Sequence, residues 1–243
     1  MKDASKINVL IACEESQRVC TAFRKLGFNA YSNDVQKCSG DHPEWHILDD
    51  ALYVLGGGRV KLQNGKWLDV DHWDLIIAHP PCTFLSNVAV RQHSLRMTPE
   101  NRIEGTTINR IHAMEFFMRC FQAPCKHIAI ENPVGIMNSA FRQPDQIIEP
   151  YNFAESVDDT ENYVTKRTCL WLKGLEPLNI GNLPRPDNAE LHGRLATGKP
   201  RYWCENHCYG NKDGESDAVA RSKTFSGIAK AMAEQWGGYL LNS

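Results

Sequence analysis

The sequence predicts an α/β protein built on a doubly wound, mostly parallel sheet. Its clearest apolar runs, Ile7–Ala12 and Leu75–Ala78, lack the alternation of half-exposed strands and indicate strands buried on both faces. Stretches with helical spacing, such as Ser16–Leu26, separate the strand candidates, as in βαβ units. We therefore expect one domain over residues 1–243, with an irregular insert rich in Pro, Gly and Asn at about 176–220.

The composition narrows the class of protein. Charged residues make up 23% of the chain, hydrophobic residues 42%, and no apolar run approaches the ~20 residues that span a bilayer. The polar start lacks a signal-peptide pattern, so we expect a cytoplasmic protein. The net charge of −2 argues against a globally basic nucleic-acid binder but leaves room for a basic cleft. Nine cysteines without a framework favour thiol chemistry or a metal site over disulfides.

Residues 7–34 have the layout of a nucleotide-binding βαβ unit. The first strand leads into a predicted helix over Ser16–Leu26, and a second strand over Phe28–Ser32 runs on towards Asp34. In such units an acid after the second strand accepts hydrogen bonds from ribose hydroxyls. Asp34 is therefore a candidate cofactor ligand.

The turn after the first strand departs from the glycine-rich pattern of dinucleotide sites. It reads Ala12-Cys13-Glu14-Glu15-Ser16, with no glycine to admit a pyrophosphate and with two glutamates that repel phosphate at a helix N-terminus. We therefore expect a ligand poor in phosphate beside this turn. A plain helix cap with solvated acids is an equally weighted interpretation of the two glutamates.

Two shorter segments follow. His46–Asp50 predicts a third strand ending in acids, and Asp49 and Asp50 offer another place to hold a polar part of a ligand. Residues Gly56–Gly65 predict a flexible loop or hairpin without a chemical role.

A cysteine follows the central predicted strand in a rigid turn. Pro80 and Pro81 end the strand Leu75–Ala78 because they cannot continue its hydrogen-bond ladder. Cys82 is thereby delivered at a carboxyl end, where open α/β sheets bind ligands. This location favours a nucleophile, although a cysteine is more often a small buried hydrophobe.

The segment from 84 to 104 is long, polar and rich in cations. Arg91, Arg96 and Arg102 suit phosphate groups, and a long irregular segment beside a nucleophile favours a lid or binding loop. A solvated surface loop is the open alternative.

A second polar strand exit follows a predicted helix over Ile108–Phe121. His127–Pro133 is an apolar strand that ends in polar residues and a proline, so Glu131 reaches the same sheet edge as Cys82. If the two strands are neighbours, a carboxyl group and a thiol face one pocket. That arrangement suits covalent chemistry assisted by an acid or a hydrogen bond.

These two exits resemble a known family. Pro80-Pro81-Cys82 and Glu131-Asn132-Pro133 resemble motifs IV and VI of the cytosine-C5 DNA methyltransferases, particularly the short versions found in phages and prophages. In order along the chain, residues 7–34 are similar to motifs I and II, 165–172 to motif VIII and 221–237 to motif X. The resemblance implies the class I S-adenosylmethionine-dependent methyltransferase fold, with 146–150 and 168–172 as a terminal hairpin whose last strand is antiparallel.

The resemblance also implies roles for the candidate residues. Cys82 is the implied nucleophile towards C6 of cytosine, Glu131 the group that protonates N3, and Arg167 a third catalytic residue. S-adenosylmethionine is the implied cofactor, and DNA, with the target base flipped out, the implied partner. The implied cofactor contacts are Ala12, Cys13, Glu14, Asp34, Asp49, Asp50 and Pro80. The implied substrate contacts are Ser86, Arg91, Arg96, Arg102 and Asn132.

Departures from the family keep other functions open. The chain lacks the Phe-x-Gly-x-Gly turn of motif I, and of the Gln-x-Arg-x-Arg of motif VIII only Arg167 is matched. An amino-methyltransferase is one alternative, since His79-Pro80-Pro81 resembles an Asn-Pro-Pro-aromatic motif. The others are an enzyme that modifies free cytosine nucleotides, favoured by the missing recognition domain, and a non-catalytic DNA-binding relic.

The insert contains an incomplete metal motif. Cys204, His207 and Cys208 fall within five residues, but a closed structural zinc site needs four ligands. We therefore expect no bound metal and keep these residues as zinc candidates, with His192 as the fourth ligand.

Overall fold

The fold is given by a computed structural model that describes residues 2–87, 104–203 and 222–243, with side chains from residue 108 onward in the second range. The strands in these ranges are β1 (Asn8–Ala12), β2 (Asn29–Asp34), β3 (His46–Leu48), β4 (Gly58–Lys61), β5 (Trp67–Val70), β6 (Leu75–Ala78), β7 (His127–Pro133), β8 (Gln146–Ile148) and β9 (Thr168–Lys173). The α-helices are α1 (Arg18–Lys25), α2 (Ala51–Val54), α3 (Glu104–Phe121), α4 (Met137–Ala140), α5 (Asn188–His192), α6 (Ser226–Ala231) and α7 (Gly237–Asn242).

Seven of these strands form one sheet in the order β3-β2-β1-β6-β7-β9-β8. Neighbours are parallel from β3 to β7, whereas β9 is antiparallel to both β7 and β8. The chain runs outward from β1 to β3 and then returns to the other side of β1 with β6, so the strand order reverses between β1 and β6. The remaining strands, β4 and β5, form a separate antiparallel hairpin.

Helices cover both faces of the sheet. Alternate residues of β1 point to opposite sides: Val9 and Ile11 join a core with α1 and α6, whereas Leu10 joins a core with α2 and α3. All three are fully buried, which explains why β1 is apolar without alternation. The predicted α/β fold, with a mostly parallel sheet flanked by helices, is confirmed.

Several predicted boundaries shift for local reasons. Helix α1 begins at Arg18 rather than Ser16, because Gln17 has a φ of 59°, in the left-handed region. Helix α3 begins at Glu104 rather than Ile108. The predicted loop or hairpin after residue 56 is the hairpin β4–β5.

The register brings the strand exits together. Ala12 at the end of β1 is paired with Ala78 at the end of β6, and Ala78 is paired with Ile130 of β7. The residues after these three positions therefore emerge side by side, at the point where the strand order reverses. Ligands of open α/β sheets bind in this crevice.

The predicted irregular insert is described up to residue 203. Over 176–203 its regular element is the short helix α5. Beyond it, the closing helix begins at Ser226, where α6 starts, and continues through a π turn (Met232–Trp236) into α7. No helix in the described ranges is both long and apolar enough to cross a membrane.

Candidate active site at the carboxyl edge of the sheet

The turn after β6 exposes the thiol of Cys82. The carbonyl oxygen of Cys82 accepts hydrogen bonds from the backbone amides of Leu85 and Ser86, both at 3.0 Å. This turn fixes the backbone immediately after the two prolines. The prediction that Cys82 follows a strand end is confirmed, and its role as a nucleophile stays a prediction.

Exposure distinguishes Cys82 from the other cysteines of the described residues. Four are buried and two half-buried: Cys20, Cys120, Cys125, Cys169, Cys13 and Cys38. Burial raises the pKa of the Cys120 thiol to about 12 and that of Cys13 well above its ordinary value, so both stay protonated at neutral pH. Cys82 is the most accessible thiol of this set.

The turn after β6 that carries Cys82, called here the thiol turn (Pro80–Ser86), is held in place by contacts with the end of β7 and with the residues just after it. The Asn132 side-chain amide donates to the Pro80 carbonyl oxygen at 2.6 Å, and both residues are buried. Ser86 and Gly135 form an antiparallel bridge. A Cβ atom at position 135 would overlap the carbonyl oxygen of Leu85, so the close approach of the two segments requires glycine. These contacts hold the turn that carries Cys82 against the end of the strand that carries Glu131.

Glu131 is paired with His79, which lies between the end of β6 and the two prolines. The His79 Nδ1 atom lies 3.2 Å from Oε2 of Glu131, and the two side chains are 10% and 21% exposed. Burial favours the neutral form of each group, but the pair prevails: the pKa of Glu131 is lowered by the hydrogen bond and charge of His79. The pKa of His79 is raised, against its burial, by Glu131 and by the charge of Glu14.

Glu14 caps helix α1. Its two carboxylate oxygens accept from the backbone amides of Val19 at 2.6 Å and Cys20 at 3.1 Å, and the side chain is buried. These amides belong to the first turn of the helix and lack intrahelical partners. Burial raises the pKa of Glu14. The helix-cap interpretation is confirmed for Glu14, although the acid is buried rather than solvated, and a cofactor contact stays a prediction.

Two buried acceptor oxygens at the ends of β1 and β2 have no hydrogen-bond donor among the described residues. They are Oε1 of Glu15 and Oδ1 of Asn33. Their neighbouring polar atoms are engaged: Glu15 Oε2 accepts from the Ser39 amide at 3.1 Å, and Asn33 Nδ2 donates to the Asp49 carbonyl at 2.8 Å. Unsatisfied buried acceptors call for a donor from a ligand or water.

The three predicted acids near this edge differ in how they are used. Asp34 is half-buried at the end of β2, and burial raises its pKa although it accepts from the Gln36 amide. Asp50 caps helix α2 by accepting from the Leu52 amide at 2.9 Å. Asp49 is exposed and accepts from the amide of Asp50. A cofactor contact stays a prediction for all three acids.

Lys166, next to Arg167 in the chain, acts on Glu131 through its charge, and a catalytic role of Arg167 stays a prediction. Burial raises the pKa of Glu131, and His79 lowers it; the charge of Lys166 lowers it further. Its ammonium group lies 5.7 Å from the ring centre of Trp203 and 5.6 Å from that of Phe225. Arg167 is exposed.

Several predicted residues lie outside the described residues. These are Arg91, Arg96, Arg102, Cys204, His207 and Cys208. Over 2–87, 104–203 and 222–243, no cluster of three or more His, Cys, Asp or Glu side chains is arranged to hold a metal ion.

His79 and Gly135 are among the residues of the site that the sequence did not identify. The sequence signal for a role of His79 is its position between a buried strand and Pro80-Pro81, in the segment that resembles an Asn-Pro-Pro-aromatic motif. Gly135, two residues after Pro133, marks a close backbone approach only once the fold is known.

Comparison with known proteins assigns no family, since neither a scan against protein-family models nor a search of curated proteins found a match. The thiol of Cys82 and the imidazole of His79 both follow β6, and the carboxyl group of Glu131 lies in the neighbouring parallel strand β7. Such an arrangement is suited to covalent addition with proton transfer.

Proposed function

We propose that this protein transfers a methyl group from S-adenosylmethionine to C5 of cytosine in DNA. The observation that carries the proposal is the juxtaposition of Cys82, after β6, with Glu131, in the neighbouring parallel strand β7. The antiparallel strand β9, beside β8, fits the terminal hairpin that the class I methyltransferase fold implies. The strand contacts and the motif order thus point to the same chemistry.

The residue types match the demands of the reaction. C5 of cytosine is a poor nucleophile, so the Cys82 thiolate adds to C6 and forms an S–C6 bond while Glu131 delivers a proton to N3. C5 thereby gains the electron density to take a methyl group, which the cofactor supplies. A base then removes the C5 proton, the S–C6 bond breaks, and N3 returns its proton. The base must leave the duplex for Cys82 to reach it.

The edge between β1 and β2 fits a cofactor that carries hydrogen-bond donors and no phosphate. Glu15 and Asn33 each keep one buried acceptor oxygen without a donor within the described part of the chain, and Asp34 is half-buried beside them. Ribose hydroxyls and an amino group offer such donors. The glutamates of the glycine-free turn disfavour a pyrophosphate.

A covalent-trapping experiment tests the proposal. Duplex DNA with 5-fluorocytosine at the target position blocks loss of the group at C5, so wild-type protein with S-adenosylmethionine should form an adduct that survives denaturation. Cys82→Ser should form none, because a hydroxyl is a far weaker nucleophile at neutral pH. Cys38→Ser, which removes a half-buried thiol, is the matched control and should trap normally.

The same experiment separates the alternatives. An adduct in Cys82→Ser would show that another residue is the nucleophile. Trapping of 5-fluorocytosine nucleotides but not of DNA would favour the nucleotide enzyme. Methylation of the exocyclic nitrogen, detected by mass spectrometry of treated DNA, would favour the amino-methyltransferase, and DNA binding without any methyl transfer would favour the relic.

A further inference from the structure

His79 connects the exits of three neighbouring strands. Its backbone amide donates to the carbonyl oxygen of Ala12 at 2.9 Å, which ties it to the end of β1. Its Nδ1 atom lies 3.2 Å from Oε2 of Glu131 in β7. The charge of Glu14, from the turn after β1, also acts on the imidazole. A single imidazole at the sheet edge is thus paired with the carboxylate of Glu131 and also feels the charge of Glu14.

The second ring nitrogen of His79 differs from that of a structural histidine in its hydrogen bonding. Nε2 is buried and has no hydrogen-bond partner among the described residues. A purely structural histidine at a buried position normally satisfies both nitrogens, as His46 does here with Ser32 Oγ at 2.9 Å and the Gln36 carbonyl at 2.9 Å. The unsatisfied nitrogen of His79 therefore calls for an explanation other than packing.

The charges around the imidazole favour its protonated form. Burial opposes the charge, Glu131 and Glu14 favour it, and Lys166 opposes it. The two carboxylates outweigh the other influences, and the pKa of His79 is raised. The carboxyl group of Glu131 is correspondingly ionised, since burial is outweighed by His79, Lys166 and a side-chain hydrogen bond from Thr168. The proton of the pair resides on His79.

This distribution of charge poses a problem for the reaction proposed above, on which the inference rests. N3 of cytosine must receive a proton, and an ionised Glu131 carries none. We propose that His79 is the positioning residue that stores this proton and passes it through Glu131. His79 Nδ1 gives its proton to Oε2 of Glu131, and the neutral carboxyl group then turns and delivers that same proton to N3, which leaves His79 neutral and Glu131 ionised again. On product release both transfers reverse, so no proton is gained or lost by the pair.

The test uses His79→Asn in the full-length protein. The asparagine amide nitrogen can occupy the place of Nδ1 and donate to Glu131, but it cannot supply a proton. The variant then depends on the small fraction of Glu131 that is protonated, which falls about tenfold for each pH unit above its pKa. The ratio of wild-type to variant trapping rate on 5-fluorocytosine DNA should therefore increase with pH and approach unity in acid.

His72→Asn is the matched control. His72 is also paired with acids, Asp71 and Asp74, and its pKa is raised by the hydrogen bond that it donates to Asp71 and by the charge of Asp74, but it is exposed and lies before β6. It should match the wild type at every pH. Thermal unfolding of both variants separates a folding defect from a chemical one.

The outcomes are distinguishable. A His79→Asn variant that folds and traps at the wild-type rate across the pH range would overturn the inference and leave the proposed function intact. A rate loss of the same size at every pH would also overturn it, because a merely structural role predicts that result. Wild-type protein that forms no adduct would overturn the proposed function and this inference with it.

Discussion

Glu14 and Glu131 are two glutamates at one sheet edge, and their surroundings give them opposite characters. Both oxygens of Glu14 accept from backbone amides, and burial raises its pKa. Glu131 faces a histidine, stays one-fifth exposed, and has a lowered pKa despite its burial. Amides of a helix cannot titrate, whereas an imidazole can. Burial determines the direction of the pKa shift for Glu14, whereas the histidine partner outweighs burial for Glu131.

A related contrast exists between the turn after β1, which carries Glu14, and the turn after β6, which carries Cys82. The turn after β1 has no glycine, and Cys13 and Gln17 adopt the left-handed conformation that glycine usually takes. A buried carboxylate ties that turn to helix α1. The thiol turn after β6 is instead held from outside, by Asn132 and by the bridge to Gly135. The first turn is fixed by its own helix and the second by its neighbour.

The largest expected effect is on catalysis. Glu131→Gln should slow covalent trapping about 100-fold or more, because an amide accepts the His79 hydrogen bond but delivers no proton. Glu14→Gln should slow trapping far less, and chiefly at high pH, because it removes only a charge that helps to raise the pKa of His79. Single-turnover trapping measures both. Equal losses in the two variants would show that the contrast between the glutamates is not functional.

The next effect concerns the close contact between Gly135 and the thiol turn. Gly135→Ala brings a methyl group into the Leu85 carbonyl oxygen, so the free energy of unfolding should fall by about 1–3 kcal/mol and trapping should slow as the turn shifts. Gly238→Ala, in α7 with open space around it, is the control and should not destabilise. Chemical denaturation of both variants checks this. A Gly135→Ala protein as stable as the wild type would disprove the contact.

A smaller effect is expected at the helix cap. Glu14→Ala removes the acceptor for two amides of α1 and should lower the free energy of unfolding by about 1 kcal/mol. Hydrogen exchange at Val19 and Cys20 should accelerate, while exchange in β7 should not. Uniform acceleration across the sheet would contradict a local cap.

The smallest effect is the pH dependence of stability. The raised pKa of His79 adds stability that is complete below its ordinary value of 6.5 and is lost as pH rises through the folded value. The lowered pKa of Glu131 adds stability that is present above its ordinary value of 4.5 and is lost as pH falls through the folded value.

The pair therefore stabilises most between these limits. The pKa of Glu14 is also raised, so the measured quantity is the difference in unfolding free energy between wild type and His79→Asn. That difference should be largest near pH 5–6 and decline on both sides. A difference independent of pH would contradict the ion pair.

The central strands could be predicted from the apolar content of the sequence. Local backbone conformations and contacts between residues distant in the chain could not. Strands β1, β6 and β7 were predicted because they are buried on both faces and carry continuous apolar runs. The start of α1 was wrong by two residues because a left-handed Gln17 has no signature in composition. The pairing of His79 with Glu131 joins residues far apart in the chain and required the register of β6 and β7.

The position of β9 has a consequence for how the chain is made. Strand β8 is synthesised before β9, yet its partner in the sheet is β9, which also covers the outer edge of β7. Until residues 168–173 leave the ribosome, β7 presents an unpaired edge and β8 has nothing to pair with. Exposed strand edges recruit other chains. Nascent chains stalled or truncated before Thr168 should therefore aggregate, and the strand that carries Glu131 gains its partner only after residues 168–173 have been synthesised.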